Sequence, residues 1–159
     1  MSRAFVKEDA GEPDENPPEK PLSPHPNYVT PRGAKLLQDR EAGIAAELST
    51  LTGAQDDPAR RRRKRELERD LRYVRARLDS AIPVESKSAG EIRFGARVVL
   101  RRDDGQPRVL RIVGEDEAEE GGELTPWPAP FVQALFGLTA GQSFLWNDGE
   151  RWTVVSVGP

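Results

Sequence analysis

Residues 30–78 read TPRGAKLLQDREAGIAAELSTLTGAQDDPARRRRKRELERDLRYVRARL, and the spacing of their apolar side chains decides the architecture. Thr30-Pro31 has the form of a helix N-cap followed by proline at the first helical position, where a missing amide costs nothing. Leu37, Ile44 and Leu51 recur every seven residues, and Leu48 widens the stripe. Gly33 and Gly43 each disfavour a helix by about 1 kcal/mol relative to alanine. Packing, rather than propensity, must therefore hold this helix, and Gly53 suits its C-cap. After the connection Ala54 to Asp57, Asp57-Pro58 repeats the cap-plus-proline start. Leu67, Leu71, Val74 and Leu78 then follow at steps of four, three and four. The pattern predicts helices over 31–52 and 58–81, about 33 and 36 Å long at 1.5 Å per residue. Matched lengths and a short loop predict an antiparallel coiled-coil hairpin whose narrow seam must project from something larger.

Downstream, Ile82-Pro83 ends the second helix, because the residue before proline is pushed out of the α region. From Ile92 to Leu100 the residues change to β-branched and aromatic types, with Phe94, Ala96, Val98 and Leu100 on one side at period two. Asp103-Asp104-Gly105 supplies a turn and Val109 to Val113 a returning strand. Pro130 to Phe136 suits a two-turn helix closed by Gly137, and Ser143 to Trp146 and Trp152 to Val157 flank the turn Asn147-Asp148-Gly149. Sheet with one short helix is the α+β pattern. Trp127, Phe131, Leu135, Phe136, Phe144 and Trp146 are expected in the core or at a domain interface, although the prolines beside Trp127 suggest an exposed loop.

Upstream, residues 1–27 hold Pro13, Pro17, Pro18, Pro21, Pro24 and Pro26 and almost no apolar side chains to offset the entropy of ordering. They read as a disordered or polyproline arm, with Phe5 and Val6 as its one docking candidate. The expected organisation is a tail at 1–27, a hairpin at 28–82, a linker at 83–91 and a sheet domain at 92–159.

The chain has 159 residues, 24 basic and 27 acidic, for a net charge of −3. The average conceals a division: residues 30–82 carry 13 basic against 9 acidic side chains, whereas 83–159 carry 8 against 12. With no cysteine, disulfides, thiol catalysis and thiolate zinc sites are excluded. The single histidine, His25, lies in the tail, which removes a histidine-based triad. No glycine cluster forms a phosphate-binding or dinucleotide-binding loop. No run approaches the roughly 18 apolar residues of a membrane span, and Met1 to Ala10 lacks a signal-peptide core. A cytoplasmic protein without membrane contact, monomeric when free, is expected.

Three constellations carry chemistry. Arg60, Arg61, Arg62, Arg63, Lys64 and Arg65 place six positive charges where the helix dipole is already positive, which favours a polyanionic or acidic partner over a merely solvated face. Asp56 and Asp57 stand between the helices and could share a magnesium ion, although Asp57 as a cap and Asp56 as a loop residue is the simpler reading. The acidic run from Glu115 to Glu120 reads as a loop solvated by like charges, with a cation or an arginine-rich surface as the alternative.

Several segments resemble the bacterial Gre family of transcription elongation and transcript-cleavage factors, particularly its B-type branch. They are Tyr28-Val29-Thr30-Pro31-Arg32-Gly33, Lys64-Arg65-Glu66-Leu67 through Arg72-Tyr73-Val74, Phe94-Gly95-Ala96-Arg97-Val98, Arg111-Ile112-Val113-Gly114-Glu115-Asp116-Glu117-Ala118 and Ala134-Leu135-Phe136-Gly137. The resemblance implies an N-terminal coiled-coil hairpin that enters the secondary channel of core RNA polymerase. It also implies a small FKBP-like antiparallel-sheet domain, without isomerase activity, that docks on the channel rim through Pro130, Phe131, Ala134, Leu135 and Gly137.

The departures bear on mechanism. Cleavage-stimulating members carry a tip resembling Gly-Asp-Leu-Ser-Glu-Asn-Ala-Glu-Tyr, whose carboxylates help hold magnesium in the polymerase. Here the stretch is Thr52-Gly53-Ala54-Gln55-Asp56-Asp57-Pro58, and the arms are shorter by a few turns. A carboxylate must lie about 2 to 3 Å from its ion, so losing one 5.4 Å turn matters. The expectation is a non-catalytic polymerase-binding elongation regulator with weak or no stimulation of cleavage, no catalytic residue and no intrinsic metal or cofactor. Two alternatives stand beside it. One is a cleavage factor acting through Asp56 and Asp57 on polymerase-bound Mg²⁺; the other is a nucleic-acid-binding hairpin that contacts nascent RNA or DNA through Arg60 to Arg65.

Overall fold

A computed structural model describes residues 16–53, 57–87, 90–147 and 149–159. Phe5, Val6 and Asp56 lie outside the described residues. The elements run β1 (Tyr28–Val29), α1 (Pro31–Thr50), α2 (Pro58–Asp79), β2 (Ile82–Pro83), β3 (Arg97–Arg102), β4 (Pro107–Val113), β5 (Leu124–Pro126), α3 (Pro130–Gln133), β6 (Ser143–Trp146) and β7 (Glu150–Gly158). Both long helices start where the cap signals fall. Thr30 Oγ1 accepts the Gly33 amide at 2.9 Å, and Asp57 Oδ1 accepts the Ala59 amide at 2.9 Å. Each satisfies one of the amides that a helix start leaves without an intrahelical partner.

Leu37, Ile44, Leu67 and Val74 are buried together with Val29, and Leu48, Leu51, Leu71 and Leu78 pack against them. Both apolar stripes therefore close one seam. Helix α1 ends two residues earlier than the pattern suggests. The hydroxyls of Ser49, Thr50 and Thr52 bond back to carbonyls three residues upstream, and Gly53 turns the chain with φ of +85°. The hairpin base is held by a parallel pairing of β1 and β2, Tyr28 opposite Ile82 and Val29 opposite Pro83.

The remaining strands form one sheet in the order β5-β4-β3-β7-β6, antiparallel except for the parallel β4–β5 pair. Val98, Leu100, Leu110, Ile112, Trp152 and Val154 point inward, where α3 lays Phe131 and Val132 across them and Leu135 follows. Phe131 sits edge-on to Phe144, Trp146 and Trp152 at ring separations of 5.2 to 5.6 Å. Such edge-to-face contacts suit aromatic quadrupoles.

Three expectations are corrected. The strand read from Ile92 begins only at Arg97, because Gly95 turns the chain with φ of +84°. Ile92 is buried as a loop residue, exchanging backbone hydrogen bonds with Leu138 and Gly137. Helix α3 is a single turn. Trp127 is not an exposed loop residue: its ring packs against Tyr28 at 5.2 Å and His25 at 5.8 Å, and it joins the domain core. The described part of the arm, residues 16–27, holds no helix or strand and lies against α2. Lys20 Nζ reaches Asp70 at 2.9 Å, Glu19 pairs with Arg72, and Asn27 is buried.

Candidate functional site

Where the hairpin meets the sheet domain, side chains distant in sequence converge. Arg77 near the end of α2 is buried, and its guanidinium donates to the Asp116 carboxylate and, at 2.7 Å, to Asn27 Oδ1. Asn27 Nδ2 returns a bond to the Arg77 carbonyl at 2.7 Å. One helical turn earlier, the Tyr73 hydroxyl donates to the other Asp116 oxygen at 2.7 Å. Burial first, and then the hydrogen bond to Asp116 and that carboxylate's charge, push the Tyr73 phenol up to about 12. Asp116 thereby accepts from two α2 side chains, which offsets much of the desolvation cost of the buried pair.

Glu117 works on α1 in the same way. It is buried, accepts the Thr30 hydroxyl, and accepts Arg32 Nη1 at 3.2 Å. The α1 start presses close: a Cβ on Gly33 would lie 2.7 Å from Glu117 Oε2 and would have to push that carboxylate aside. Gly114 has no room for a Cβ either, because the Tyr28 carbonyl occupies that space. The run read as a solvated acidic loop is therefore, over 115–117, the clamp that grips both helices. Its arginine-contact alternative is met within the chain by Arg77 and Arg32. Period and propensity gave no hint of this; the segment stood out in the sequence only as an acidic run and as part of the resemblance.

At the distal end, Asp57 is exposed, and one of its carboxylate oxygens is occupied as the α2 cap. The basic run is largely answered by the hairpin's own groups. Arg63 holds Glu47 of α1 through two bonds of 2.6 and 2.9 Å, Arg62 reaches Glu66 at 3.3 Å and Lys64 reaches Glu68 at 3.7 Å. Arg60 donates to the Thr50 carbonyl at 3.1 Å, completing the end of α1. The Arg63 guanidinium holds the Glu47 carboxyl below the usual carboxylate range. A cleft beside this tip is lined by Leu51, Thr52, Gly53, Arg60, Arg61 and Lys64. Among the described residues no group of acidic or histidine side chains is arranged to hold a metal ion.

The α3 segment divides by exposure. Phe131 and Leu135 are in the core, whereas Pro130, Ala134 and Gly137 face outward. Any contact made here falls on the outward three, with Phe131 and Leu135 fixing their position from below. Among the described residues no helix is long and apolar enough to cross a membrane.

A helical hairpin clamped at its base to a small, mostly antiparallel sheet domain is the class of protein that these features define. Residues 87–159 match the family model described as transcription elongation factor, GreA/GreB, C-terminal. Transcription elongation factor GreB of Neisseria meningitidis serogroup B is 28% identical over 141 residues, covering 78% of this chain and 86% of that protein. GreB of Pseudomonas syringae pv. tomato is 31% identical over 98 residues, covering 58% and 62%. A solved GreA/GreB factor from Nitrosomonas europaea, 20% identical, covers 85% of this chain and 99% of its own, with a TM-score of 0.41. The C-terminal part of the chain thus matches the GreA/GreB C-terminal model, and the chain as a whole is similar to GreB transcription elongation factors.

Proposed function

We propose that this chain is an elongation regulator that binds core RNA polymerase, inserts its hairpin into the secondary channel and stimulates transcript cleavage weakly or not at all. The match to the GreA/GreB C-terminal model and the similarity to GreB factors support the polymerase as partner and a regulatory rather than catalytic role. The observation that carries the finer reading is at the tip, where the Asp57 carboxylate caps α2 through the Ala59 amide. A carboxylate so engaged has less freedom to complete a metal shell on a polymerase-bound Mg²⁺, which needs contact at about 2.0–2.1 Å. The arms, of 20 and 22 residues, are about 30 and 33 Å long at 1.5 Å per residue. In this reading Pro130, Ala134 and Gly137 supply the rim contact.

The free nucleic-acid-binding reading has less support, because Glu47, Glu66 and Glu68 already neutralise part of the basic run. Two assays on the full chain test the proposal. Retention on nuclease-treated core polymerase is expected, and its absence would remove the partner. On backtracked elongation complexes little RNA shortening is expected. Robust shortening that disappears in the Asp56→Ala/Asp57→Ala variant would instead make this a cleavage factor.

A further inference from the structure

The sheet covers its inner face with α3, while much of the opposite face stays open. On β3, the central strand, Arg97, Val99 and Arg101 point outward, alternating with the fully buried Val98 and Leu100. Arg97 stands directly opposite Arg111 of β4, a like-charge cross-strand pair. Such pairs are destabilising unless something supplies negative charge. Within the chain little does. Among the described residues the side chains of Arg97 and Arg101 have no ion pair or hydrogen bond, while the Arg111 guanidinium donates to the Gly95 and Pro159 carbonyls and lines a cleft that also holds Glu117. The outward positions of β3, β4, β6 and β7 hold no carboxylate, although residues 83–159 are acidic in total. Beside the arginines, Leu145 is 64% exposed and Val155 is 46% exposed. An exposed sheet face ordinarily carries neutral or mixed-charge polar residues. This one carries arginine and aliphatic side chains.

We infer that this outer sheet face is a docking surface for an acidic segment of a partner protein, with carboxylates flanking an apolar side chain. Arg97 and Arg101 are four residues apart on one strand, about 13 Å at 3.3 Å per residue. An extended segment that places Glu, an apolar residue and Glu on one side, at every second position, matches that distance and sets the apolar side chain over Val99. The outward positions bear no aromatic ring on which bases would stack, so the composition favours protein over single-stranded nucleic acid. Guanidinium groups suit carboxylates through paired hydrogen bonds. The surface is separate from the α3 segment and does not rest on the polymerase reading.

The test is fluorescence anisotropy with a fluorescein-labelled peptide Glu-Ser-Leu-Ser-Glu-Ser-Leu-Ser-Glu, titrated with the full-length chain at 0.15 M salt. Binding is expected to weaken by about tenfold or more in Arg97→Glu/Arg101→Glu, and by about threefold in Val99→Ser, with circular dichroism unchanged. The milder Arg97→Gln/Arg101→Gln, expected to lose about half of the effect in log affinity, covers the event that charge reversal unfolds the domain. Equal binding by wild type and folded variants overturns the inference. So does an unaffected Val99→Ser, which would mean charge attraction alone. A fifteen-residue oligouridylate that binds more tightly and depends on the same arginines assigns the face to nucleic acid instead. A dimer in sedimentation that Arg97→Glu/Arg101→Glu dissolves assigns it to a second copy; either result overturns the acidic-protein assignment.

Discussion

Arg77 of α2 and Asp116 of the loop after β4 form a buried ion pair, 39 residues apart in sequence, that ties the hairpin to the sheet domain. Asn27 and Tyr73 complete its hydrogen bonds, so neither charge is left to the low dielectric alone. The clamp is built on Gly114-Glu115-Asp116-Glu117, the segment that also carries much of the family resemblance.

Breaking this pair from one side leaves an uncompensated buried charge. Arg77→Met is expected to cost about 3–5 kcal/mol, the usual penalty for removing one partner. Arg77→Met combined with Asp116→Leu should recover part of that loss, since replacing both charges with apolar groups is often near neutral. Urea unfolding of both variants measures the difference; equal destabilisation would mean that the pair is not the joint.

The same junction predicts a high-pH transition. The Tyr73 phenol is raised from 10.0 to about 12, so folding favours its protonated form. Its contribution to stability is fully present below pH 10 and is lost as pH rises from 10 towards 12. Ultraviolet absorbance should show a phenolate step near pH 12 that Tyr73→Phe removes, and the stability curve of that variant should be flatter over this interval.

Close approach makes Gly33 testable through its nearest neighbour. Gly33→Ala should destabilise by about 1–3 kcal/mol through overpacking against Glu117, although alanine is the better helix former by about 1 kcal/mol. Gly43 faces open space, so Gly43→Ala is expected to stabilise by about 0.4–1 kcal/mol. Thermal melts of the two variants should therefore shift in opposite directions.

At the tip, Asp57→Ala removes the α2 cap and should cost about 1 kcal/mol, or roughly 2–4 °C in Tm for a chain of this size. Asp57→Ser restores a capping oxygen without a carboxylate. Stability regained in Asp57→Ser, with RNA shortening on backtracked complexes the same in wild type and both variants, is the outcome that fits a structural Asp57.

On α3, Ala134→Glu changes an outward residue and should leave the melting curve within about 0.5 kcal/mol of wild type. Retention on core polymerase should fall about tenfold or more if this segment makes the rim contact. Phe131→Ala is the contrasting case: it removes the ring that Phe144, Trp146 and Trp152 surround, and should unfold the domain by about 3–5 kcal/mol.

Features that depend on neighbours within four residues along the chain were legible before any fold was known. Thr30-Pro31 and Asp57-Pro58 start helices, the leucine rows close one seam, and Ser143–Trp146 is a strand, because capping and periodicity are local geometry. The two-residue strands at 28–29 and 82–83 left no periodic trace, and their parallel pairing exists only because the hairpin returns its ends to one place.

Tertiary structure alone decided which charges matter. The sequence drew attention to Arg60 through Arg65, the longest basic run, yet several of those charges are met by nearby glutamates. Arg77, one arginine among many on α2, became the buried joint because folding brought Asn27 and Asp116 to it across 50 and 39 residues. Arg97 and Arg111 became neighbours only through strand register. Local chemistry fixes where the two capped helices begin and which face of each is apolar. The partner of a charge is set by contacts between distant segments, whose energies depend on burial and distance in space rather than on order in the chain.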